Sequence, residues 1–141
     1  MASPHIFAWF EGGSITIPPE TNDPTFGPKG AFEVQTFSLG SNNPNRPSGG
    51  GGGKPGITEV TLLKQVGKAS PALLQAAGAG TLFPTMVIVS ESTANSFIQY
   101  TFSKVRITQV SIQGNTGEPP LEEFTLVFAT VQIQLGPPIA S

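Results

Sequence analysis

Apolar and polar residues alternate through most of the chain, a period of two that marks strands. Ile6-Phe7-Ala8-Trp9-Phe10 is an apolar run closed by Glu11-Gly12-Gly13-Ser14, and Ile15-Thr16-Ile17 follows before Pro18-Pro19. The spacing predicts two short strands joined by a glycine-containing turn. Residues 18–30 hold four prolines and two glycines and read as an irregular connection. From Ala31 to Leu39 the apolar positions fall first at Phe32 and Val34, then on the other parity at Phe37 and Leu39, which predicts a strand with a bulge. Ile57 to Val66 is a further strand, with Val60, Leu62 and Val66 on one face and Glu59 and Thr61 on the other. Leu82 to Ser90 is rich in β-branched residues. Phe97 to Gln113 changes apolar parity twice: Ile98, Tyr100 and Phe102, then Val105 and Ile107, then Val110 and Ile112. A strand that switches faces in this way is bulged or passes from one sheet to another. Phe124, Leu126 and Phe128 alternate, the phase moves to Val131, Ile133 and Leu135, and Gly136-Pro137-Pro138 ends the pattern.

Two segments break the strand pattern. Ser70-Pro71 followed by Leu73, Leu74 and Ala77 predicts one short helix, with Ser70 as N-cap, Pro71 at the first turn, and Gly78 or Gly80 closing it. About ten residues are too few for an isolated helix, so it must pack on a sheet. Residues 40–56 contain no hydrophobic side chain and include a run of five glycines, which predicts a long loop between strands. The sum is seven or eight strands and one short flanking helix, a mainly β barrel or sandwich forming a single domain over residues 1–141, with the Gly/Pro-rich loop at about 41–56.

Composition narrows the function. Only 11% of the 141 residues are charged, less than half the usual share of about 25%. A sparsely charged surface suits a subunit packed against copies of itself. No cysteine is present, which removes zinc ribbons, thiol redox motifs and disulfide scaffolds. Net charge −2 argues against a phosphate-tracking nucleic-acid binder. The apolar runs are far shorter than the roughly 18 residues of a membrane span, and residues 1–10 lack the basic start of a secretory signal. If the protein leaves the cell after cytoplasmic synthesis, it is therefore expected to do so without the general signal-peptide route.

The chemistry of catalysis is thinly supplied. His5 is the one histidine and Asp23 the one aspartate, so a Ser/His/Asp triad would have to use both. His5 is expected as a surface or edge-strand residue. The phosphate-loop pattern fails at both ends when aligned on Gly53-Lys54, where Ser48 and Pro55 stand in place of Gly and Ser/Thr. The adjacent carboxylates of Glu122 and Glu123 point to opposite faces of a strand and are expected at solvated strand ends. Trp9 is expected to pack rather than to stack a sugar. No catalytic, metal or cofactor-binding residue is assigned, and no cofactor is expected.

Leu62-Leu63-Lys64, then Lys68-Ala69-Ser70-Pro71-Ala72-Leu73-Leu74-Gln75-Ala76, then Gly80-Thr81-Leu82-Phe83-Pro84 resemble the haemolysin-coregulated protein (Hcp) family, the tube proteins of type VI secretion systems. Tyr100-Thr101-Phe102-Ser103-Lys104-Val105-Arg106-Ile107-Thr108 and Glu123-Phe124-Thr125-Leu126-Val127-Phe128 continue the resemblance, which covers roughly residues 57 to 135. It implies a structural protein that self-assembles into hexameric rings stacked as a hollow tube, in a contractile injection apparatus or as an extracellular filament. The implied partners are copies of the chain itself, with other secretion-apparatus or effector proteins beyond them; no nucleic acid and no membrane insertion are expected. The extended loop would reach a neighbouring ring, which makes Ser41, Asn42, Asn43, Asn45, Arg46 and Lys54 the candidate ring-stacking residues. The alternative is a secreted single-ring or monomeric β-domain that binds a small ligand or a passenger effector.

Overall fold

The computed structural model describes residues 5–21, 26–42, 56–93 and 96–136, which form eight strands and one α-helix. In chain order these are β1 (Ile6–Glu11), β2 (Phe32–Val34), β3 (Thr36–Asn42), β4 (Gly56–Gln65), α1 (Ser70–Ala79), β5 (Leu82–Thr93), β6 (Ser96–Asn115), β7 (Glu118–Val127) and β8 (Thr130–Gly136). Every ladder is antiparallel, in the order β2-β1-β5-β6-β7-β4-β3, with β8 on β6. The first and last strands of this order, β2 and β3, are separated only by Gln35, whose N–H bonds to the Leu63 carbonyl in β4 at 2.8 Å. The sheet therefore curls until its two ends meet in one stretch of chain, a barrel-like wrap. The expected continuous strand over 31–39 is two strands for this reason: at Gln35 the chain changes partner from β1 to β4, and the parity change from Val34 to Phe37 falls at that point.

β6 explains the double parity change at 97–113. Residues 96–106 pair with β5 on one edge, Phe97–Ser103 with β8 on the other, and Arg106–Asn115 with β7. Lys104 holds a left-handed backbone, φ 54°, between the buried Phe102 and Val105. The ladder to β7 then slips at Ile107/Gln109. β7 and β8 follow one another along the same edge of β6, tied at the break by Ala129 N–H to the Ser103 carbonyl at 2.9 Å.

The expected strand at Ile15–Ile17 does not form. Gly12 and Gly13 take positive φ (79° and 93°) and carry the chain across Pro84 and Phe83. A Cβ on Gly13 would sit 2.6 Å from the buried Phe83 ring, so the turn cannot be rebuilt with side chains into a hairpin.

Apolar packing occupies two sides of the wall. The main core collects Phe32, Leu62, Phe83, Phe102 and Phe124 with Leu73 and Ala76 of α1. A smaller cluster of Phe7, Trp9, Val87, Val89 and Phe97 lies on the opposite face of β1 and β5, covered by Phe26 and Ala31 from the proline-rich connection. β1 and β5 are thus buried on both faces, which is why Met86–Val89 reads as an unbroken apolar run. Trp9 packs as expected: it is 4% exposed, lies 5.9 Å from the Phe26 ring and donates from Nε1 to Glu11 at 2.9 Å.

The helix spans the expected residues and ends at Gly80, φ 67°, with Thr81 N–H returning to the Ala76 carbonyl at 3.1 Å. Its start and buried face differ from expectation. Ala69 holds the N-cap position, and Ser70 is the first helical residue. The buried stripe is Ser70, Leu73 and Ala76, while Leu74 is half-exposed. The reason lies beneath Ser70, in a polar group that its hydroxyl must reach.

Candidate functional site

Lys64 follows Val60 and Leu62 on the core-facing parity of β4, and Glu122 precedes Phe124 and Leu126 on the core-facing parity of β7. The two are register partners, so the sheet brings them side by side with 0% exposure each. Lys64 Nζ donates to Glu122 Oε1 at 3.2 Å, to Glu20 Oε2 at 3.1 Å and to the Gln65 carbonyl at 2.8 Å, and stands 5.6 Å from the Phe32 ring. Ser70 Oγ donates to Glu122 Oε1 at 2.8 Å and accepts from Gly67 N–H at 2.9 Å. Glu20 Oε2 also accepts from Ala69 N–H at 2.7 Å. The expectation that Glu122 is a solvated strand end is therefore overturned: it is fully buried, and its Oε2 has no hydrogen-bond partner among the described residues. One ammonium and two carboxylates thus join β4, β7, the proline-rich connection and the start of α1. Parity was the available signal, since position 64 lies on the same face as 60 and 62.

His5, half-exposed, pairs through Nδ1 with Glu33 and through its backbone N–H with Glu91 at 2.9 Å. It lies at the surface just before β1, an inner strand of the sheet, so the surface expectation holds and an edge-strand one does not. Asp23 lies outside the described residues. Among the described residues no group of three or more metal-ligating side chains converges.

The surface carries features suited to contact between macromolecules. β8 pairs only with β6 among the described residues, so its outer edge presents N–H and C=O groups without a ladder. Its apolar parity runs outward from the core: Val131 opposite the buried Phe102, Ile133 opposite Tyr100, Leu135 opposite Ile98. Exposure rises along this row to 52% at Ile133 and 79% at Leu135. A core stripe that continues past the end of the core onto an unpaired strand edge is a surface built to be covered.

The β3–β4 pair carries a different feature at each end. Ser41 and Asn42 are the last residues of β3, opposite Ile57 and Gly56, with the ladder slipping between Gly40 and Ser41. Asn43, Asn45, Arg46 and Lys54, the other candidate ring-stacking residues, lie outside the described residues. At the far end, Gln35 and Gln65 border an open depression of about 720 Å³, shared with Glu33, His5, Glu20 and Lys68.

Residues 12–135 match the family described as "Type VI secretion system effector, Hcp". The match extends the resemblance read at 57–135 back to residue 12, through β2 and β3. No curated protein matches the chain. Among solved structures, the chain is similar to one described as a type six secretion system protein, with TM-score 0.78, 22% identity, and 93% of this chain and 83% of that one covered. It is similar to Hcp1 from Salmonella typhimurium, with TM-score 0.76, 20% identity and 95% and 93% coverage. It is also similar to the secreted protein Hcp3 from Pseudomonas aeruginosa, with TM-score 0.65, 18% identity and 94% and 97% coverage.

Proposed function

Because this chain belongs to the Hcp family of type VI secretion system proteins, we propose as its function a structural tube subunit: copies assemble into hexameric rings, and the rings stack into a hollow tube. The observation that carries this reading is the outer edge of β8, where a ladder without a partner among the described residues and the exposed Ile133 and Leu135 coincide. A strand of another copy completes the ladder and covers the apolar row, burying both in one step. The low charge density of the chain supports the same reading, since assembly then covers surface that charged groups would otherwise have to solvate. The tube leaves the cell through the secretion apparatus, whose other proteins and effectors are the further partners. The chain performs no catalytic step; its work is mechanical.

The segment from Ser41 to Lys54 acts between rings. It holds no apolar side chain that could strengthen its own subunit. Size-exclusion chromatography with light scattering, paired with negative-stain electron microscopy of the purified protein, tests the assembly. Annular particles that lengthen into tubes at high concentration are expected. A monodisperse 14.7 kDa species in every buffer would overturn the reading in favour of a monomeric binding domain. Deleting residues 43–55 should leave rings intact and shorten the stacks.

A further inference from the structure

Two separate covers sit on the apolar clusters of the subunit. Helix α1 lays Leu73 and Ala76 on the main core. The stretch Phe26–Ala31, which holds a 3-10 turn at Gly27–Lys29, covers the outer cluster. This second cover is tied to itself: the Phe26 carbonyl accepts from Lys29 N–H at 3.1 Å and from Ala31 N–H at 3.2 Å. The Phe26 ring stacks on Phe7 with centres 4.6 Å apart, and the Lys29 ammonium stands 5.6 Å from the Trp9 ring. The two clusters lie on opposite faces of β1 and β5 and share no side chain.

Glu20 joins the two covers. Its backbone N–H and that of Thr21 donate to the Ala31 carbonyl, at 2.9 and 3.3 Å, at the foot of the outer cover. Its carboxylate accepts from Ala69 N–H at 2.7 Å, at the N-cap of α1, and from Lys64 Nζ at 3.1 Å. The seat excludes any larger residue beneath it, since a Cβ on Gly67 would come within 2.5 Å of Glu20 Oε2. Glu20 is also the one member of the charged cluster that borders the open depression; Lys64 and Glu122 behind it have no exposure.

We propose that Glu20 is a clasp through which α1 and the Phe26–Ala31 cover loosen as one unit, so that the subunit has a minor conformation with the first turn of α1 and the Trp9 face released together. When Glu20 leaves its seat, Ala69 N–H loses its acceptor and Lys64 one of its two carboxylates, which loosens α1 at its start. Water that enters the vacated seat hydrates Lys64 and reaches Glu122 Oε2, which has no hydrogen-bond partner among the described residues, and this lowers the cost of opening. The same movement takes two N–H donors from the Ala31 carbonyl and frees the outer cover. Coupling through a shared group is reciprocal, so a change that loosens either cover loosens the other by the same factor. Openings of this kind involve part of the fold and leave the central strands paired.

The experiment is hydrogen exchange of the full chain, read by mass spectrometry at one fixed subunit concentration, with acrylamide quenching of the single Trp9 as a second readout. Phe26→Ala packs nothing against α1's face of the sheet, yet it is expected to speed exchange in α1 by about fivefold or more. Leu73→Ala, on the other side, is expected to speed exchange at 26–31 and raise Trp9 quenching by a like factor. β5 and β6 serve as the internal control and keep their protection. In a Glu20→Ala background each change acts on its own cover alone. Where Phe26→Ala also speeds exchange throughout β5 and β6, the milder Phe26→Leu replaces it under the same criteria. Exchange in α1 that ignores the Phe26 change in the otherwise unaltered protein would overturn the proposal. So would a response of equal size with and without Glu20, which would place the coupling in the sheet rather than in the clasp.

Discussion

Replacing Lys64 with methionine nearly keeps the volume of the side chain, shortens it by one atom and removes its charge. In the folded subunit the change strips Glu122 of its ammonium partner inside a site with no exposure, leaving only the Ser70 hydroxyl on Oε1 and nothing on Oε2. Glu20 loses the same partner but keeps the Ala69 N–H and 14% side-chain exposure, so its share of the loss is smaller. Removing one member of a buried ion pair costs about 3–5 kcal/mol, because the other charge stays behind without compensation. Against a total stability of about 5–15 kcal/mol for a domain of this size, that is a large fraction. It corresponds to a fall in Tm of roughly 10–15 °C. The assay is urea unfolding at one fixed subunit concentration, since assembly adds its own stabilisation, read by the fluorescence of the single, buried Trp9. The double variant Lys64→Met with Glu122→Leu removes the orphaned charge and should recover about 1–3 kcal/mol of the loss. A single variant that costs less than about 1 kcal/mol, or a double variant no more stable than the single, would show that the buried pair is not held as described.

Three further outcomes follow from named contacts. Gly67→Ala places a Cβ 2.5 Å from Glu20 Oε2, so the carboxylate must leave Ala69 N–H; a loss of about 1–2 kcal/mol is expected, abolished when Glu20→Ala is added, and equal losses with and without Glu20 would refute it. Lys104 holds φ 54°, so Lys104→Gly should be neutral or stabilising by up to about 1 kcal/mol while Lys104→Val should cost more than about 1 kcal/mol, a difference read from urea midpoints. Leu135→Asp on the exposed row of β8 should leave the unfolding midpoint of the separated subunit within about 0.5 kcal/mol and eliminate rings by light scattering; rings at unaltered concentration would show that this row is not an interface.

The architecture was largely legible because a strand's two faces are written in alternate residues. Phe102, Val105, Ile107 and Val110 announced a strand that turns its faces, and β6 does so at Lys104 and at the slip after Ile107. Helix punctuation at Pro71 and Gly80 was equally local. Pattern failed where backbone conformation or partner exchange decided the outcome. Ile15–Ile17 alternates like a strand, but Gly12 and Gly13 turn the chain onto Phe83 and Pro84 instead. Nothing near Gln35 declares that the chain leaves β1 for β4 there, because the partners are distant in sequence. Glu122 was misread by residue type: a charged side chain suggests solvent, while its parity with Phe124 and Leu126 placed it inside.

Periodicity, turn residues and charge, each set within a few neighbouring residues, were enough to determine a mainly β domain with one short helix, and the family resemblance could be read from motifs of the same short range. Only the tertiary structure decided which strands became neighbours. That choice buried Lys64 against Glu122, left the outer edge of β8 without a partner among the described residues, and set a depression at the Gln35 and Gln65 end of β3–β4. Each of these depends on contacts between residues far apart in the chain, whose free energy exists only once the sheet has wrapped and water has been expelled.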